Sequence, residues 1–71
     1  MNTITYHNAI TDIWKFMKFY LEHGDPDDPK YWDGMVVAIS EINEKYRSEF
    51  VKTMVFACAN EVERVRRRAK A

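Results

Sequence analysis

Val51, Val55, Cys58, Val62, Val65 and Ala69 recur with 4-3-4-3-4 spacing through the last third of the chain. That spacing marks one face of a helix. A seam of such side chains has to be covered, because leaving each in water forgoes on the order of 1.5–3 kcal/mol. The chain has 71 residues, enough for one domain. A core this small contributes little beyond the entropy of ordering the chain, so folds of this size lean on disulfides, a metal or self-association. A single cysteine rules out an intrachain disulfide. Cys58, His7 and His23 are scattered and lack the paired spacings of a zinc site, so no metal and no cofactor is expected. Self-association, or efficient helix packing, remains.

Only two glycines and two prolines punctuate the chain, and they cluster in His23-Gly24-Asp25-Pro26-Asp27-Asp28-Pro29. Gly24 suits the left-handed residue just past a helix end. Asp28 followed by Pro29 suits an N-cap and first helical position. The first helix is expected over about 3–23, with Tyr6, Ile10, Ile13, Trp14, Met17, Tyr20 and Leu21 inward. The second is expected over about 29–46, burying Trp32, Met35, Val36, Ile39, Ile42 and Tyr46. The next joint, Tyr46-Arg47-Ser48-Glu49-Phe50, holds only a serine able to cap a third helix over about 48–70. Without a turn there, residues 29–70 would form one rod of about 60 Å. A rod leaves too few internal contacts, so the expected fold is all-α, a three-helix antiparallel bundle completed by oligomerisation.

The oligomer follows from apolar residues that the inward faces do not need. Phe19 lies about half a turn from Ile10 with Phe16 beside it, Val37 is misplaced on the second helix, and Phe56 on the third. Large apolar residues outside every helix's core face point to a second buried surface. Phe16, Phe19 and Phe56 are therefore the candidate interface of a homo-oligomer, a two-fold dimer being favoured. The competing explanation is that helices crossing at steep angles need wide apolar faces.

Zero net charge hides a separation. Residues 1–44 hold eight acidic side chains against three lysines, a balance of −5, while residues 45–71 hold eight basic against three acidic, a balance of +5. The run Arg64, Arg66, Arg67, Arg68 and Lys70 is its densest part. Such a run is ordinarily a solvated helix end, favoured by the helix dipole. It can also meet an acidic protein surface or grip phosphates, so nucleic acid is the alternative partner. No separate recognition helix is visible, and the aromatics lie upstream of the arginines rather than among them. Tyr31, beside Trp32 at the start of the second helix, is a candidate partner contact, an aromatic with a polar tip at the edge of the core face.

No catalytic constellation is present. Cys58 falls within the valine seam, where a thiol behaves as a small hydrophobe. His7 and His23 fall near opposite ends of the first helix, about 24 Å apart along its axis. There is no phosphate-cradling glycine loop. A calcium loop starting at Asp25 would need glycine where Lys30 stands and glutamate where Val36 stands. The apolar runs fall far short of the roughly 20 residues of a membrane span, and Met1–Ile13 has no signal-peptide pattern. A cytoplasmic non-enzyme is expected.

Tyr31-Trp32-Asp33 opening the second helix, Lys45-Tyr46 before the joint, and Phe50-Val51-Lys52 leading to Glu61-Val62-Glu63 carry a resemblance over residues 29–65. In these strings the chain resembles small uncharacterised helical proteins of Firmicute genomes and their phages. The resemblance implies no activity or site. It implies a mobile-element accessory protein that binds and blocks, or adapts, another macromolecule. The expected function is thus a small helical protein-interaction module; the alternatives are a nucleic-acid-binding accessory protein using the basic end, and a purely structural homo-oligomer.

Overall fold

The structure, a computed structural model, describes residues 1–68 and consists of three helices: α1 (Thr3–Glu22), α2 (Pro29–Tyr46) and α3 (Glu49–Arg68). Ala69 and Lys70, which close the valine seam and the basic run, lie outside the described residues.

Local chemistry sets each boundary. Asn2 caps α1, its side-chain oxygen accepting the Thr5 N–H at 2.8 Å. At the other end His23 is the extended C-cap, with its N–H donating to the Phe19 carbonyl. Gly24 follows at φ +84°, the left-handed conformation expected of it. Asp28 caps α2 by accepting the Lys30 N–H at 3.0 Å, and Pro29 occupies the first helical turn. The second joint turns and no rod forms. Arg47 takes the left-handed conformation (φ 47°, ψ 50°), and its N–H donates to the Asn43 carbonyl. Ser48 caps α3 from outside rather than opening it: its carbonyl accepts the Lys52 N–H at 2.9 Å, and its hydroxyl stands 3.5 Å from the Val51 nitrogen.

The three helices all pack on one another in a bundle of 42 × 17 × 17 Å. Two reversals of direction leave α1 and α3 parallel with α2 antiparallel to both. Tyr6 of α1 meets Phe50 of α3 edge-on at one end, with ring centroids 5.1 Å apart. At the other end Arg66 of α3 reaches the carbonyls of Leu21 and Gly24. Between these ends α1 and α3 lie side by side in register.

The core differs from the expected one by a rotation of α1. Ala9, Ile13 and Phe16 are its buried residues, while Tyr6, Ile10 and Trp14, expected inward, are exposed. α1 carries two overlapping apolar stripes, and a triangular bundle buries only one of them. The stripe chosen includes Ala9, fully buried, whose small side chain lets a neighbouring helix approach closely. Phe16, expected at an oligomer interface, is 7% exposed and belongs to this core. On α2 the buried set is Tyr31, Met35 and Ile39; Trp32 is half-buried and Val36 is exposed, both against expectation.

On α3 the valine seam packs as expected through Val51, Val55 and Val62, all fully buried, with Ala59 in the core and Cys58 half-buried beside it. Val65, by contrast, is 38% exposed. A seam repeating every seven residues drifts by about 20° per heptad around a straight helix, and Val65 lies two heptads beyond Val51. The drift carries it off the core and onto the flank facing α1.

Candidate functional site

The structure divides Arg64, Arg66, Arg67 and Arg68, the four described cations of the basic run. Arg66 is a strut of the fold. Its two terminal nitrogens donate to the main-chain carbonyls of Leu21 (2.7 Å) and Gly24 (2.6 Å), and its guanidinium lies 5.5 Å from the centroid of the Tyr31 ring. It thereby satisfies carbonyls at the C-terminal end of α1, where a positive charge also meets the negative end of the helix dipole. Arg67 stacks over Trp32, 4.3 Å from the ring centroid, and pairs with Glu63 at 3.3 Å. Arg64 pairs bidentately with Glu61 one turn back, at 2.6 and 2.8 Å. This pairing holds the Glu61 carboxyl below its usual range. Arg68 is exposed and Lys70 falls outside the described residues. Arg66 points inward to the end of α1 and to Tyr31, Arg67 lies over Trp32 of α2, and Arg64 and Arg68 fall on the other flank, because successive residues turn by about 100°. The run is therefore not one surface.

Tyr31 is likewise a core residue, 7% exposed, and its hydroxyl donates to the Tyr20 carbonyl. Burial pushes its phenol up from the ordinary range. Trp32 is the outer aromatic of the pair; its indole N–H donates to the Pro26 carbonyl at 2.8 Å and ties α2 to the first joint. Phe19 and Phe56 are both exposed. They do not share a face: Phe19 flanks α1 on the side of the first joint, near Gly24 and Lys30, whereas Phe56 lies on the α2 flank of α3.

An apolar strip lies elsewhere, along the seam where α1 and α3 run side by side, crossed on α3 by the Glu61–Arg64 pair. The α1 stripe left outside by the rotation, Ile10, Trp14, Met17 and Leu21, forms one bank. Phe50, Met54 and Val65, on the flank of α3 that faces α1, form the other. Trp14, at mid-length, is 55% exposed. The Tyr6–Phe50 contact closes one end of the face. A hollow beside Phe50, lined by Glu49, Thr53, Met54 and Ala57, extends it around α3. Scattered exposed hydrophobics carry no meaning, but a strip running the length of two helices with a central tryptophan has the make-up of a docking surface. Sequence periodicity misses this face because it assigns the α1 bank and Val65 to the core.

Elsewhere, Asp12 of α1 accepts hydrogen bonds from Lys45 Nζ at 2.9 Å and from the Tyr46 hydroxyl, joining α1 to the end of α2. These bonds hold its carboxyl below the ordinary carboxylate value. Cys58, half-buried, has its thiol pushed up by desolvation, which disfavours the thiolate. Among the described residues no three His, Cys, Asp or Glu side chains converge as a metal site, and no helix is long and apolar enough to cross a membrane. No protein-family model, curated protein or solved structure matches the chain.

Proposed function

We propose that this chain is a small helical protein-interaction module that acts by occupying a partner's surface, with the α1–α3 seam as its docking face. The observation that carries the reading is the exposed strip of Ile10, Trp14, Phe50 and Val65 along two parallel helices, centred on a tryptophan. A buried tryptophan dominates many interfaces, and alanine replacement of such anchors costs about 2 kcal/mol or more. The resemblance to Firmicute and phage helical proteins supports a mobile-element accessory role, working in the cytoplasm to block or adapt a host macromolecule. Nucleic-acid binding through the arginines stands second, because Arg66 and Arg67 are held by backbone and indole, and Arg64 by Glu61.

Wild-type protein and Trp14→Lys as paired baits in extracts of the source organism test the reading, with reconstitution from purified components. The expected result is a stoichiometric protein complex lost with Trp14→Lys and kept with Arg68→Gln. Retention of nucleic acid that survives Trp14→Lys but is lost on changing Arg64 and Arg68 to glutamine would overturn it in favour of the second reading.

A further inference from the structure

Resting on that reading of the seam, we propose that one occupant of the α1–α3 face is the outer side of α2 from a second copy of this chain, so that molecules associate head to tail. Charge complementarity between opposite sides of the bundle carries the argument. By helical position the outer side of α2 carries Asp33, Glu41 and Glu44 against Lys30, while the rim of the seam carries Lys18, Arg64 and Arg68 against Glu61. In a three-helix bundle α2 sits directly behind the α1–α3 seam. The two sides of the molecule therefore carry opposite charge, and each also exposes apolar side chains.

On α2 these are Val36 and Val37, 62% and 56% exposed, with Ser40 one turn on and Asp33, Glu41 and Glu44 around them. Glu44 is paired with Arg47, but neither Asp33 nor Glu41 has an ion-pair partner among the described residues. The rim of the seam carries Lys18, Arg64 and Arg68 by helical position. A single helix is a convex ridge and the seam between two helices is a groove, which is the shape relation by which helices pack. The lengths agree: α2 spans about 27 Å, and α1 and α3 about 30 Å. Pairing two seams face to face, as in a two-fold dimer, offers those cations only Glu49 and Glu61, and Glu61 is already held by Arg64. The α2 face offers Asp33 and Glu41, neither of them ion-paired among the described residues, besides Glu44, which Arg47 holds. Because the two surfaces differ, the contact is heterologous and does not close at two copies.

Mixing complementary surface variants tests this. Trp14→Lys blocks the seam and Val37→Lys blocks the α2 side; both positions are more than half exposed, and circular dichroism checks that each variant keeps wild-type helicity. In sedimentation velocity the wild type should grow past the dimer as concentration rises. Each variant alone should remain monomeric at concentrations where the wild type associates. Their equimolar mixture should form a dimer and stop there, since only one intact pair of faces remains. Raising salt from about 0.05 to about 0.5 M should weaken wild-type association roughly tenfold or more, as screened opposite charges require. A Val37→Lys variant that associates like wild type would overturn the α2 contact while leaving the seam as a docking face. A wild type that stays monomeric throughout would overturn self-association and leave the seam to a foreign partner. Association unaffected by Trp14→Lys would remove this inference and the proposed docking face together.

Discussion

Replacing Arg66 by methionine should destabilise the bundle by about 2 kcal/mol. The figure follows from its contacts. Two hydrogen bonds join a charged donor to the carbonyls of Leu21 and Gly24. Bonds to charged groups contribute about 1.5–3 kcal/mol each, and the half-buried site argues for the lower end. Stacking on the Tyr31 ring adds about 0.5–1 kcal/mol. Immobilising an arginine side chain offsets up to about 2 kcal/mol. Methionine preserves the apolar stem but neither donor. Lysine keeps the charge without the planar fork and cannot span both carbonyls, so it should recover about half of the loss. For a domain of this size, 2 kcal/mol corresponds to a fall in Tm of about 10 °C. Thermal unfolding followed by circular dichroism, at low micromolar concentration to keep association out of the signal, measures it. Arg68→Met is the control, since Arg68 is exposed and is the last described residue. Equal melting of Arg66→Met and Arg68→Met, within about 2 °C, would refute the assignment of Arg66 to the fold.

Three further outcomes follow from the packing. Val62→Ala should cost about 2 kcal/mol by opening a cavity in a fully buried site, whereas Val65→Ala, at the drifted end of the same seam, should cost under about 0.5 kcal/mol; urea unfolding of the two variants compares them. Asp12 has a folded-state pKa below its unfolded value near 3.8, so its tie to Lys45 and Tyr46 stabilises the bundle above that value and fades as pH falls through the folded pKa. Asp12→Asn should accordingly flatten the acid limb of the stability curve below about pH 4, and an unchanged limb in denaturant titrations at several pH values would contradict it. Gly24→Ala should destabilise by about 2 kcal/mol or more, because alanine is strained in the left-handed region and its methyl would lie 2.7 Å from Cδ2 of buried Tyr31; the melting temperature reads this directly.

The helical class and the chemistry of the first joint were legible in the sequence because each rests on neighbours along the chain. Gly24 terminates one helix and the Asp28–Pro29 pair opens the next wherever they occur. The seam of Val51, Val55 and Val62 could be assigned to the core because α3 has one dominant apolar stripe. Elsewhere the chain holds more apolar residues than a three-helix core can cover, and periodicity alone cannot rank two stripes on one helix. On α1 the ranking came from packing. Burying Ala9 and Phe16 turned Ile10 and Trp14 outward, and on α2 Tyr31 displaced Trp32 from the core. The second joint shows the same limit, since Arg47 adopts a left-handed conformation that its residue type does not announce. The basic run was visible as composition, and helical spacing already spreads it round α3, but the contacts that hold its members were not. Arg66 finds the end of α1 45 residues back from it, at Leu21, and a contact at that separation exists only once α3 lies beside α1. Local propensity and spacing act within a few residues and determine which helices form. Which face each one buries, and so which face remains for a partner, is decided by the shapes the three helices present to one another.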